Sequence, residues 1–416
     1  LVPKLNFLDH IKDQLQGIII SHAHEDHAGA ISFFTDKINC PVYASEFAYN
    51  LINRRLKENQ LSNKINLEKI NINKKLEFKN FIISFFETNH SIPEPFAIKI
   101  DTEYGNILHT ADWKIDKNPL IGNVLNSSSF KEMGQEGILA LVGDSTNAST
   151  TGYSGSEEDV RNHFIKLFSR YNKRIVATCF SSNITRLESI AYAAKRNNRK
   201  VAIVGRSINR TIEAARESGY LKKIDEFISQ EEAQYVPKDN IVIICTGSQG
   251  EKRSALFRIA YNSHPYIHLE KEDVVIFSSR DIPGNEKSIN NLKNLLVRQK
   301  VEILTSNEEL VHVSGHAYTE ELKNMYQWIR PFLAVPIHGE PMHLLEHAKI
   351  AQSCQVPFTK ILDNGSLLKI APDKPEVIDK ISTGKMIVEG GRTYNSESDF
   401  IKERLKYSYE GIVMIT

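Results

Sequence analysis

Cysteine is scarce: Cys40, Cys179, Cys245 and Cys354 are the only four in 416 residues. They lie far apart, and two of them close apolar, strand-like runs. They read as reduced core residues of a cytoplasmic protein, which excludes a disulfide framework and a thiolate-rich metal site. No apolar run approaches the roughly 20 residues that span a bilayer, so no membrane association is expected. No signal peptide is expected from the opening Leu1-Val2-Pro3-Lys4, which lacks a basic region followed by a small-residue cleavage site. It also lacks Met and runs straight into structured-looking sequence, which points to a fragment or a truncated gene model. Neither a P-loop nor a Gly-x-Gly-x-x-Gly turn occurs, which disfavours ATP and NAD. Repeats and low-complexity tracts are missing as well.

The densest chemistry is Ser21-His22-Ala23-His24-Glu25-Asp26-His27-Ala28-Gly29, directly after the apolar strand Gly17-Ile18-Ile19-Ile20. In extended backbone, His22 and His24 point to one side and can share a metal. Where the chain turns toward a helix, Asp26 and His27 can face a second one. Imidazole and carboxylate suit zinc or manganese. The spacing is not that of a His-Glu-x-x-His helix. Further strand ends add His90 and His338 as ligands. Asp112 is placed to bridge two metals roughly 3.5–4 Å apart, as two-metal hydrolysis requires. His109 reads as a residue behind the ligands. Asp144 heads another polar cluster, Asp144-Ser145-Thr146-Asn147. His312 and His316 suit phosphate contact or proton transfer. His343 and His347, four apart on the next helix, read as surface histidines.

Between the candidate ligands the rhythm changes. From Arg174 to about residue 300, strands and helices alternate, which predicts a parallel sheet with helices on both faces. Loops at its carboxyl edge are rich in Ser, Gly and Arg, as phosphate sites are. From Arg161 to Lys223 there are fifteen Lys or Arg and only three acidic residues, on a chain whose net charge is +1. A polyanion partner is the natural reading. Residues 357–416 read as short strands completing the first domain, the last of them at Gly411-Ile412-Val413-Met414-Ile415.

His-x-His-x-Asp-His with single downstream His, Asp and His resembles the metallo-β-lactamase fold, and the αβ insertion resembles the β-CASP domain of nucleic-acid hydrolases. The nearest resemblance is to the bacterial ribonuclease J family. It extends over His90-Ser91-Ile92-Pro93-Glu94, Gly247-Ser248-Gln249-Gly250-Glu251, Ile282-Pro283-Gly284-Asn285-Glu286, His312-Val313-Ser314-Gly315-His316-Ala317 and Pro336-Ile337-His338-Gly339-Glu340. It implies an α/β protein, an αββα metallo-β-lactamase sandwich over residues 1–151 and 309–416, with a β-CASP domain over 152–308. The family also has strands upstream of the His cluster and a small C-terminal domain that supports dimerisation. Ala111 and Trp113 stand where it mostly has Gly and Phe, a change accommodated if the backbone at Ala111 needs no positive φ.

The resemblance further implies two Zn2+, with Mn2+ or Mg2+ as alternatives. His22, His24 and His90 would hold one metal. Asp26, His27 and His338 would hold the other, with Asp112 bridging. Asp144 would orient His316, the protonating or phosphate-contacting residue. Ser181, His312 and Ser314 would form a 5′-monophosphate pocket. Arg206 and Arg280 are our additions as backbone-phosphate contacts. The activity implied is 5′-to-3′ exonuclease cleavage of single-stranded RNA with some endonuclease cleavage, in mRNA decay and rRNA maturation, by a homodimer or homotetramer. The rivals are a β-CASP hydrolase of DNA or a small ester, and a non-catalytic RNA-binding subunit.

Overall fold

The computed structural model describes residues 1–389 and 392–411. The first strands are β1 (Val2–Pro3), β2 (Ile18–Ile20), β3 (Val42–Ala44), β4 (Leu67–Lys69), β5 (Leu76–Glu77), β6 (Ile82–Glu87), β7 (Phe96–Thr102), β8 (Gly105–His109) and β9 (Ala140–Asp144). An inserted run follows: β10 (Ile175–Thr178), β11 (Lys200–Val204), β12 (Ile241–Cys245), β13 (Val274–Phe277) and β14 (Glu302–Leu304). The chain then returns with β15 (Leu333–Ile337), β16 (Phe358–Thr359), β17 (Ser366–Lys369), β18 (Glu376–Lys380), β19 (Lys385–Glu389) and β20 (Arg392–Asn395).

The largest sheet has seven strands in the order β16-β15-β9-β8-β7-β6-β5. Its β5–β8 part is antiparallel, while β8, β9, β15 and β16 run parallel. Side chains alternate across it as a period of two demands. Ala97, Leu141 and Ala334 face helices Ser127–Glu136, Thr319–Ile329 and Pro341–Ser353. Phe85, Phe96 and Ile98 face the opposite way, toward Ile19 of the small β2-β3-β4 sheet and Ile70 just past β4. Helix Glu46–Glu58, capped by Ser45, covers that second sheet. The architecture is the αββα metallo-β-lactamase sandwich.

The insertion builds a wholly parallel sheet, β11-β12-β10-β13-β14. Ile175, Ala177, Val242, Ile244, Val274 and Ile276 pack on one face, and Val176, Ile243, Cys245, Val275 and Phe277 on the other. Helices cover both faces, so the strands are continuous apolar runs, as the β-CASP reading expects.

Two expectations change. Asp144, read from the sequence as heading a polar cluster, is itself the last residue of strand β9, Ala140–Asp144. Residues 357–416 are not all strand, because Asp399–Glu410 is a helix. Ser398 occupies its N-cap, and Phe400 with Ile401 begins a helical spacing that Leu405 continues. The strand expected at 411–415 lies, from residue 412 on, outside the described residues. No helix among the described residues is long and apolar enough to cross a membrane. The four cysteines are free, three of them buried and Cys354 partly so.

Candidate metal centre and phosphate pocket

Every candidate metal ligand follows a strand of the sandwich. β2 delivers His22 and His24, and the single helical turn Glu25–Ala28 turns Asp26 and His27 back toward them. His90 follows β6, Asp112 follows β8, and His338 follows β15. Since β9 and β15 pair with Asp144 opposite Ile337, His338 is set beside Asp144 although 194 residues separate them.

The ligand atoms form three overlapping groups, each spanning at most 4.8 Å: His22, His24, His90 and Asp112; Asp26, His27, Asp112 and His338; and Asp112, Asp144, His316 and His338. Asp112, only 2% exposed, belongs to all three. Its Oδ2 lies 3.6 Å from His22 Nε2 and 3.2 Å from His27 Nε2, while Oδ1 lies 3.6 Å from His338 Nδ1.

The proton inventory shows what fits there. His90 Nδ1–H donates to the Gly315 carbonyl at 2.6 Å, so its Nε2 is a bare lone pair. That atom and His22 Nε2 lie 2.9 and 3.1 Å from His24 Nδ1. Thr146 Oγ1 donates to Asp144 Oδ1 at 2.7 Å and accepts from His338 Nδ1 at 2.8 Å. His338 Nε2 is thereby left facing the Asp26 carboxylate at 3.3 Å. His27 Nε2 is buried with no hydrogen-bond partner. Converging lone pairs with too few protons between them are the donor set of a cation site, and nitrogen with oxygen suits zinc or manganese.

The electrostatics agree. Burial holds the His22 and His90 imidazoles well below their usual range and brings His24 down to about 4, all in the neutral form a metal requires. Burial alone would lower His338 too. The facing carboxylates of Asp144 and Asp26 outweigh it and push His338 up to about 11, a negative field that a cation would take up. His316 Nδ1–H donates to Asp144 Oδ2 at 2.8 Å, and this carboxylate raises His316 against its burial. His109 accepts the Ala111 N–H at 3.0 Å, behind the ligands as expected.

The phosphate-pocket residues are less uniform. His312 and Ser314 sit together on the segment after the β-CASP sheet, and Ser314 Oγ accepts from Asn147 at 2.8 Å. Beneath His312, Arg186 is completely buried and paired with Glu157 at 2.8 Å. It donates to Ser278 Oγ at 2.6 Å, to the Val311 carbonyl at 2.9 Å and toward His312 Nδ1 at 3.4 Å. A guanidinium only donates, so His312 carries its proton on Nε2. Ser181 is half-buried ahead of helix Ile184–Arg196 and makes no side-chain hydrogen bond among the described residues. Arg280 reaches the site by donating to Asn147 Oδ1. Arg206 does not. It lines an open concavity of about 830 Å³ with Lys252, Arg253 and Arg258, at the β11 and β12 end of the sheet edge.

Other readings need correction. Ala111 has φ +52°, so the backbone does require the left-handed region there; His338 shares it at +55°. His347 is no surface histidine: it is 0% exposed. The basic stretch is no uniform patch either. Arg161, Arg170, Lys173, Arg174, Arg186, Lys195, Arg210 and Arg216 each face a carboxylate, mostly from outside the stretch. Sequence reasoning missed Thr146 and Arg186 as working residues. The polar run Asp144 to Asn147 signalled the first, and nothing in a lone Arg signalled the second.

Comparison with known proteins decides the family. A ribonuclease J from Sinorhizobium meliloti is 40% identical over 416 residues, covering all of this chain and 74% of that one. The chain belongs to the ribonuclease J family. Ribonuclease J 1 of Streptococcus pyogenes is 35% identical over 417 residues, again covering the whole chain and 74% of the relative. Models of the metallo-β-lactamase superfamily match residues 8–176, of the ribonuclease J β-CASP domain 172–296, and of a Zn-dependent metallo-hydrolase RNA specificity domain 300–354. An Enterococcus faecalis protein of unknown function shares the fold, with a TM-score of 0.59 at 16% identity over 87% of this chain and 81% of that one. As a member of that family, the chain is an RNA-binding, metal-dependent hydrolytic ribonuclease.

Proposed function

We propose that this ribonuclease uses two Zn2+ to remove 5′ mononucleotides successively from single-stranded, 5′-monophosphorylated RNA, with some endonuclease cleavage. The observation that carries the reading is the pairing of β9 with β15, which sets Asp144 and its partner His316 against the Asp112 carboxylate shared by all three ligand groups. His22, His24 and His90 would hold one metal, and Asp26, His27 and His338 the other, with Asp112 between them. Such a pair supplies Lewis-acid polarisation of the phosphate and a water of lowered pKa. Manganese or magnesium are the alternatives the same donors allow.

The remaining steps belong to side chains. Asp144 fixes the His316 ring through Nδ1 and favours its protonated form, leaving Nε2 to donate to the leaving 3′-oxygen or a nonbridging oxygen. His312, a neutral Nε2–H donor, together with Ser314 and Ser181, receives the 5′-phosphate; Arg280 and, farther along the edge, Arg206 contact backbone phosphates. Recognition through the backbone leaves sequence preference weak. The reading takes residues 152–308 as the β-CASP unit. It extends to mRNA decay and rRNA maturation in the cytoplasm, by a homodimer or homotetramer, on the strength of the family resemblance.

The test is a 3′-labelled single-stranded RNA with a 5′-monophosphate, beside its 5′-hydroxyl twin and a DNA of the same sequence. The expected result is stepwise loss of 5′ mononucleotides, faster on the phosphorylated RNA, absent on DNA and stopped by chelator. Ser181→Ala should weaken the 5′-monophosphate preference by about 1 kcal/mol, roughly fivefold, with the maximal rate retained. Equal rates on both RNA ends in the wild-type protein would overturn the exonuclease pocket.

A further inference from the structure

His347, on helix Pro341–Ser353, has no part in the site described above, yet it is fully buried and both ring nitrogens are engaged. Nδ1 lies 2.8 Å from Ser145 Oγ, and Nε2 lies 2.8 Å from the Tyr326 hydroxyl on helix Thr319–Ile329. Ser145 is 0% exposed and follows Asp144 at the end of β9. We propose that Tyr326, His347 and Ser145 form a buried strut that sets the position of the Asp144 turn, and through it of His316 and His338; all three are positioning residues of the ribonuclease site.

Three observations support this. First, the tripeptide divides its work: Asp144 and Thr146 hold His316 and His338, while Ser145 between them points back to His347. Second, the imidazole lies against the strand itself. A Cβ added at Gly143 would come within 3.1 Å of His347 Cε1, so ring and strand cannot shift independently. Third, every polar atom along the strut has a partner. Tyr326 O–H donates to Nε2, Nδ1–H donates to Ser145 Oγ, and that hydroxyl faces the Gly143 carbonyl at 3.5 Å. The Ser145 amide meanwhile donates to the Ile337 carbonyl at 2.9 Å, tying the same turn to the residue before His338. A satisfied buried chain of this kind admits one geometry, since any displacement orphans a polar group.

The proposal rests on Asp144, His316 and His338 being site residues. It is tested by measuring kcat and KM on 5′-monophosphorylated RNA, with thermal unfolding alongside. His347→Leu should lower kcat about tenfold with KM held within about twofold, the size expected of a residue that orients working groups. Tyr326→Phe, which removes one hydroxyl and keeps the ring, should lower kcat about threefold. It guards against a His347→Leu that does not fold. His347→Asn, which keeps a donor for Ser145, should recover most of the rate. Ile350→Ala, on the same helix and in the same core, serves as the control for lost stability. The strut is overturned if Tyr326→Phe and His347→Leu keep full kcat, or if Ile350→Ala at an equal loss of Tm slows turnover as much. An Asp144→Asn variant separates the two levels. If it abolishes cleavage while the strut variants are silent, the strut alone fails; if it is silent too, the site reading fails.

Discussion

The two large sheets put working residues at the same kind of place and treat charge in opposite ways. At the sandwich edge, three carboxylates and several imidazoles are packed together, with His90 Nε2 2.9 Å from His24 Nδ1 and His338 Nε2 3.3 Å from Asp26. At the β-CASP edge the deepest charge, Arg186, is already neutralised by Glu157 and surrounded by carbonyl and hydroxyl acceptors. One edge is built to be completed from outside by cations. The other is complete in itself and turns neutral donors such as His312 outward. Burying a charge demands a partner in either case, and the location of that partner separates a metal centre from a scaffold.

The sharpest way to break this contrast is to remove a ligand. His338→Ala should cut cleavage by about 10²–10³-fold or more and release metal, measured by steady-state assay and elemental analysis. Retained metal and activity would mean the sandwich edge is self-sufficient too. On the β-CASP side, Arg186→Met should cost about 3–5 kcal/mol in denaturant unfolding, because it strands Glu157 in the interior. The double change Arg186→Met with Glu157→Leu should recover much of that.

Acid stability gives a third comparison. Burial lowers His347 to about 4 from its ordinary 6.5, so the folded state disfavours its proton while the unfolded state takes it up. The stabilisation is complete above pH 6.5 and is lost as pH falls toward 4, roughly 3 kcal/mol in all. Urea unfolding between pH 7 and 4.5 should show this decline, and His347→Leu should make it shallower by this residue's share. The smallest effect is expected at Ala111, held at φ +52°. Ala111→Gly should relieve left-handed strain and stabilise by about 0.5–1 kcal/mol, visible as a small rise in Tm.

Much of the sandwich edge was legible in the sequence because its candidate ligands follow apolar strands within short polar strings. His22, His24, His90, Asp112 and His338 could be picked out without knowing how the strands pair. What could not be read was anything set by packing across long separations. His347 sits among Leu344, Leu345 and Ala348, and the sequence pattern does not say which face of that helix is buried. Arg186 looks like any helix arginine until Glu157 and Ser278 are folded around it. The fifteen cations of the basic stretch were counted along the chain, whereas Glu309, Asp273 and Glu58 reach them only in space. The helix Asp399–Glu410 was hidden by the short strands before it.

The place of β15 in the seven-stranded sheet, between β9 and the edge strand β16, also sets an order of events during synthesis. Its neighbour β9 is made 194 residues before His338. At typical ribosomal speeds that is a delay of roughly 10–40 s. Throughout that interval β9 lacks its β15 partner along one edge, while the five strands of the insertion, contiguous in the chain, are all made. An unpaired edge is a template for wrong partners. The nascent chain is thus most exposed to misassembly in the window when its β-CASP half is complete and its hydrolytic half is not, and nuclease activity cannot arise before that window closes.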